Sequence, residues 1–170
     1  MDRSIHSLSA SDFASHDLVV IAWMESLARA SELMAEKQVR HLPVVDDQDV
    51  IVGILSDRDL NRALHAGSDT TLAEARVRDF MSWPVEAIRE DQSIQEAARV
   101  MISRKISSLV VTDDQKVVGI ITTEDILKAF LGDVTPEQVE EKHGLRDEIE
   151  AALYNSPIGP IAHQLAVYGV

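Results

Sequence analysis

Two short segments of this chain carry a hydroxyl and a carboxylate at the same spacing: Ser56-Asp57-Arg58-Asp59 and Thr122-Thr123-Glu124-Asp125. Each follows an apolar run, Gly53-Ile54-Leu55 and Gly119-Ile120-Ile121, and each precedes an apolar helical pattern. A hydroxyl and free amides at a helix start can hold a phosphate, while a carboxylate one turn inward can accept two hydrogen bonds from a ribose diol. The same residues also suit an ordinary helix cap, with the hydroxyl satisfying free amides and the acid complementing the dipole. Repetition does not separate the two readings, because caps repeat when folds do.

The matched positions lie 66 residues apart, as 56 to 122 and 59 to 125 show, so the chain contains an internal repeat. In the first copy, Leu18-Val19-Val20-Ile21 reads as a short buried strand. From Ser26 the period becomes helical, with Leu27, Ala30 and Met34 on one face. Val39 to Val45 is extended, because Pro43 lacks an amide donor and biases Leu42 away from helix. A turn at Asp46-Asp47-Gln48-Asp49 leads into the continuous apolar strand Val50 to Leu55, and a helix runs from about Asp57 to Leu64. The order is strand, helix, strand, strand, helix.

The second copy repeats that order. Pro84 to Ile88 is its lead strand, and Ser93-Ile94-Gln95-Glu96 is a capping box opening a helix with Ile94, Ala97, Ala98, Met101 and Ile102 on one face. Ile106 to Val111 and Val117 to Ile121 are its paired strands, and Asp125 to Leu131 is its closing helix. Before the hairpin turn the offset is 67, as Met34 to Met101 shows, so the first turn carries one extra residue. The resulting division is a lead at 1–16 that reads as loosely packed, a first repeat at 17–66, a polar connector at 67–79, a second repeat at 80–131 and a tail at 132–170. In the tail, Thr135-Pro136 marks a helix start, followed by an acidic helix and an apolar end from Ile161 to Val170.

Composition removes several classes of function. The 170 residues carry 16 basic and 29 acidic side chains, a formal charge of −13, and no basic patch is written in the chain, which argues against nucleic acid as a partner. Seven aromatic residues make stacking on bases a poor basis for function. With no cysteine there are no disulfides or thiol chemistry, which is compatible with a reducing cytosol, and the expected location is cytoplasmic. The longest apolar run, Leu18 to Met24, is too short to span a membrane. The six histidines show no metal-ligand spacing, no nucleophile has a plausible base, and no phosphate-loop or dinucleotide fingerprint occurs, so neither an enzyme nor a required cofactor is expected.

The order of elements, the run Arg40-His41-Leu42-Pro43-Val44-Val45-Asp46 and the doubled Gly-x-x-Ser/Thr-x-x-Asp turn resemble the tandem CBS domain, or Bateman module. The resemblance covers roughly Asp17 to Leu131. It implies an α/β (α+β) fold of two β-α-β-β-α repeats about a pseudo-twofold axis, with a helical tail in addition. It also implies two clefts that take an adenosine-containing ligand: AMP, ADP, ATP or S-adenosylmethionine. By that resemblance Asp59 and Asp125 serve the ribose, Ser56 and Thr122 the ribose or a phosphate, and the stretches around Val20-Ile21 and Ala87-Ile88 line the adenine clefts. Phosphate contacts fall on Arg40 and His41 in the first copy and on Ser107 and Ser108 in the second.

The two sites are not chemically equal. Arg58 lies in the first turn where Glu124 lies in the second, and Val110 replaces Pro43. A phosphate is therefore expected to choose the first site, while the second binds weakly or takes an uncharged or cationic adenosyl group. The resemblance further implies a regulatory homodimer with a regulated protein partner. The alternative is a structural dimerisation or docking module with empty clefts, favoured by the apolar tail.

Overall fold

The computed structural model describes residues 8–65, 71–131 and the backbone of 164–165. The expected acidic tail helix lies outside them. The described residues fall into two compact units. One holds residues 17–86 with strand 164–165, and the other holds residues 8–16 with 87–131.

In the first unit, β1 (Ile21–Ala22) lies parallel to β2 (His41–Val45), which pairs antiparallel with β3 (Val50–Ser56). Helix α2 (Leu27–Lys37) joins β1 to β2, and α3 (Asp57–His65) follows β3 without a loop. Ser26 caps α2 by accepting the Arg29 amide, and Gln38 ends it in the left-handed region at φ 54°. Leu27, Ala30 and Met34 meet Leu42, Val44, Leu55 and Leu60 in the core, as the helical and strand periods require. Gln164–Leu165, labelled β7, runs parallel to β3 on the edge opposite β2, with Val50 beside Gln164.

The second unit repeats the plan with β4 (Ala87–Arg89), α4 (Ile94–Arg104), β5 (Ser108–Asp113), β6 (Lys116–Thr122) and α5 (Thr123–Leu131). Its strand order is β4-β5-β6, parallel and then antiparallel. Ser93 accepts the Glu96 amide at 3.2 Å, while the Glu96 carboxylate pairs with Arg99 at 3.1 Å, so α4 keeps one arm of the expected capping box. Ile94, Ala97 and Met101 are buried, but Ile102, expected on the same face, is exposed, because it lies at the far edge of that stripe. The extra residue of the first copy sits in the hairpin loop, where Asp46 Oδ1 accepts the amides of Gln48 and Val50.

The lead differs from the loosely packed segment expected of it. Residues 10–13 form a helical turn, α1, closed by a full capping box between Ser9 and Asp12. Ala10, Phe13 and Ala14 are buried with Ile94, Leu109 and Ile121 in the core of the second unit. Ser15 bridges Ile120 through reciprocal backbone hydrogen bonds, and the His16 ring nitrogens reach the carbonyls of Val118 and Ser11. Four helical residues leave no periodic signal, and only burial makes them order.

The connector behaves the same way towards the first unit. Val77–Asp79 forms a 3-10 turn, Val77 is fully buried, and Ser82 exchanges backbone hydrogen bonds with Ile54. The two bracing segments align at an offset of 67: Asp12-Phe13-Ala14-Ser15 against Asp79-Phe80-Met81-Ser82. The repeat thus begins earlier than the strand pattern suggests. In the repeat alignment, each brace opens one copy and packs in the unit of the other.

Candidate functional site

The site residues of the first unit meet where β2 begins and β3 ends. His41 lies opposite Ser56 in the strand register, and the Asp57 amide donates to the Arg40 carbonyl at 3.0 Å. That bond ties the mouth of β2 to the first residue of α3. Arg40, His41, Ser56, Arg58 and Asp59 therefore cluster, as their pattern in the sequence requires.

Within that cluster the hydroxyl and the carboxylate are bonded to each other. Ser56 donates to Asp59 Oδ2 twice, from its amide at 2.8 Å and its hydroxyl at 2.7 Å. The carboxylate thus caps the helix by reaching back to residue 56. The other oxygen, Oδ1, accepts from the Arg62 guanidinium one turn on. The Asp59 side chain is only 7% exposed, whereas Arg62 is 67% exposed, so the pair has one foot in the interior and one in water.

The second unit keeps the box and drops the ion pair. Thr122 donates to Asp125 Oδ2 from its amide at 2.8 Å and its hydroxyl at 2.7 Å. Thr122 Oγ1 also accepts the Asp125 amide at 3.4 Å. Asp125 is half-buried, and its Oδ1 has no partner among the described residues. Lys128, which matches Arg62, is drawn instead to Glu124 at 2.9 Å.

Charge follows the same asymmetry. In the first unit Arg58 is exposed and forms no ion pair among the described residues, and Arg62 stands four residues further along the same helix face. In the second, the equivalent pair Glu124–Lys128 neutralises itself. The His41 imidazole is held below its usual range chiefly by burial; Asp57 opposes that, Arg40 and Arg58 add to it, and Asp59 again opposes. Ser107 resembles Arg40 in backbone role, its carbonyl accepting from the Thr123 amide at 3.0 Å and hydroxyl at 3.3 Å. Ser108 is buried opposite Thr122.

The apolar stretches expected to line the adenine lie apart from these turns within each unit. Ile21 and Ile88 are buried in the two cores, while Val20 is half-buried and Ala87 exposed. Strand β2 stands between β1 and the Ser56 turn, and β5 between β4 and the Thr122 turn. Arg62 is the site residue that motif reading passes over; its signal is a cation three residues beyond Asp59 on a helix. No group of three or more histidine, aspartate or glutamate side chains among the described residues is arranged to hold a metal. No helix among them is long and apolar enough to cross a membrane.

The model of the CBS domain matches the chain twice, over residues 10–66 and 77–132. The chain belongs to the CBS domain family. Both matches include the bracing segments, so each repeat of the family pattern opens with the brace that packs in the other repeat's unit. Among solved structures, the CBS domain pair of protein MJ0100, in complex with 5′-methylthioadenosine and S-adenosyl-L-methionine, is 30% identical with a TM-score of 0.64, covering 74% of this chain and 97% of that one. The protein CBSX2 in complex with AMP is 32% identical with a TM-score of 0.59, covering 73% of this chain and 96% of that one.

Curated relatives are longer. A homoserine O-acetyltransferase of Methanohalobium evestigatum is 33% identical over 68% of this chain, which corresponds to 23% of that protein. An uncharacterized protein of Methanopyrus kandleri is 30% identical over 73% of this chain and 63% of its own length. The chain thus spans between about a quarter and two thirds of the length of these relatives.

Proposed function

We propose that this CBS pair is a regulatory sensor for an adenosine-containing ligand rather than an enzyme. The carrying observation is the duplicated hydroxyl–carboxylate box at a helix start, Ser56–Asp59 and Thr122–Asp125, in a fold whose relatives have been solved with AMP and with S-adenosylmethionine. Asp59 and Asp125 are assigned to the ribose, Ser56 and Thr122 to orienting those carboxylates, and Arg40, His41 and Arg58 to phosphate in the first repeat. Ser107 is the second repeat's weaker counterpart. Val20, Ile21, Ala87 and Ile88 are assigned to the adenine through their backbone, since the Ile21 and Ile88 side chains belong to the cores. Occupancy regulates a partner only if the ligand binds two states of the chain differently.

Calorimetric titration with AMP, ADP, ATP and S-adenosylmethionine tests the proposal. Saturable binding that Asp59→Asn and Asp125→Asn each reduce supports it, and no heat at millimolar ligand would sink it.

One observation favours a second reading, an interaction module. Helix α5 turns Leu127, Phe130 and Leu131 outward on one face, and Ile102 of α4 in the same unit is 78% exposed. Such a face suits the homodimer that the resemblance implies. Light scattering of the chain and of Leu127→Asp decides whether this face assembles the protein.

A further inference from the structure

Asp59 and Asp125 hold equivalent places in their repeats, yet they are not equally ready for a ligand. At Asp125 one carboxylate oxygen is filled by Thr122 and the other has no partner among the described residues. At Asp59 both oxygens are filled, Oδ2 by Ser56 and Oδ1 by Arg62. A ribose diol that donates to Asp59 must first displace the guanidinium. A neutral nucleoside offers Arg62 nothing in return, and replacing a charged donor with a hydroxyl beside a buried carboxylate is unfavourable.

We infer that Arg62 makes ribose binding at Asp59 conditional on a phosphate, and so acts as the specificity-determining residue of the first repeat. The inference rests on the adenosyl reading above and adds the residue that selects among adenosyl ligands. A phosphate group gives Arg62 a second anion, and a guanidinium binds phosphate and carboxylate through the same fork of donors. Arg62 shares its helix face with Arg58, which forms no ion pair among the described residues, so a phosphate drawn to that face meets two cations. Moving Arg62 onto the phosphate opens Asp59 Oδ1 to the ribose. The second repeat lacks the device, because Lys128 is engaged by Glu124 and leaves Asp125 open whether or not the ligand carries phosphate.

The test compares adenosine with AMP in the full chain carrying Asp125→Asn, so that only the first repeat reports. Asp125→Ala serves if the asparagine variant does not fold. Arg62→Gln changes an exposed side chain, and its thermal midpoint checks that the fold is kept. Removing Arg62 is expected to tighten adenosine about three- to tenfold and to weaken AMP about tenfold, on the usual scale of one charged hydrogen bond. Opposite signs for the two ligands are the signature. A purely structural Arg62 weakens both together, and a simple phosphate contact weakens AMP while leaving adenosine unchanged; either result overturns the inference. If the unsubstituted chain binds neither compound at millimolar concentration, the adenosyl reading itself falls.

Discussion

A Cβ at Gly53 would stand 2.5 Å from the Met81 sulfur, so the centre of β3 is open only to a glycine while Met81 lies across it. Gly119 has the same relation to the lead, with Ser15 O at 3.0 Å and Ala14 Cβ at 3.2 Å. The glycine that opens each repeated turn is therefore there for close approach, since the bracing segment crosses the strand at that point.

Gly53→Ala and Gly119→Ala are each expected to lose about 1–3 kcal/mol, the usual scale of overpacking. The two differ in how they can be rescued. The worst contact of Gly53 is the flexible end of a methionine, so Met81→Ala should recover part of the loss in a double-mutant cycle. The nearest atom at Gly119 is a backbone carbonyl, and no truncation of a neighbouring side chain removes it. Urea unfolding of the four variants measures both.

Phe13→Ala should destabilise the protein by about 3–5 kcal/mol, as for a core aromatic, although its segment carries no periodic pattern. Phe13 is buried among Ile94, Leu109 and Ile121. A chemical denaturation midpoint within error of the parent would mean that the lead does not brace the second unit.

Asp59→Asn should cost more stability than Asp125→Asn, by about 1 kcal/mol, because it takes a charged acceptor from Arg62 as well as from Ser56. Asp125→Asn disturbs the Thr122 box alone. Equal losses would show that the Arg62 pair contributes nothing measurable, as many half-exposed pairs do not.

His41 sets a pH dependence. Its pKa in the folded chain lies below the usual 6.5, so between those values the unfolded chain binds more protons and stability rises with pH. The contribution is complete above 6.5 and is lost as the pH falls towards the native value. Denaturation curves from about pH 8 down to about pH 5.5 should show this slope, and His41→Asn should flatten it. An anion bound beside His41 favours the imidazolium, so AMP affinity at the first repeat should rise over the range where stability falls.

Much of this was legible in the sequence. The apolar runs 50–55 and 117–121 are strands because both faces are buried, and the Ser26 and Ser93 caps fall where the periods change. The cluster of Arg40, His41 and Ser56 follows from hairpin register once those strands are placed. What strand and helix periods could not show was the lead. Its four-residue helix is too short for a period, and its signal was the match of Asp12-Phe13 to Asp79-Phe80 outside the strands. Side-chain direction also escaped. Strand residues alternate in facing, and whether Ile21 and Ile88 point to a core or a cleft depends on what covers the sheet. Arg62 was hidden for another reason: a helix cation reads as solvent-facing until a buried carboxylate is placed one turn before it.

The crossed bracing has a consequence for synthesis. Residues 8–16 are made before both units, but their partners Ile94, Val118 and Ile120 are made roughly 85 to 105 residues later. The first unit can close its core once Ser82 has emerged, since its brace follows it directly, and β7 is added to its edge later. The lead is thus made before the unit that it braces and docks only after it, and until then Phe13 stays uncovered. A cut at residue 66 would hand each fragment the other's brace, so the halves should fold poorly alone and recover when mixed.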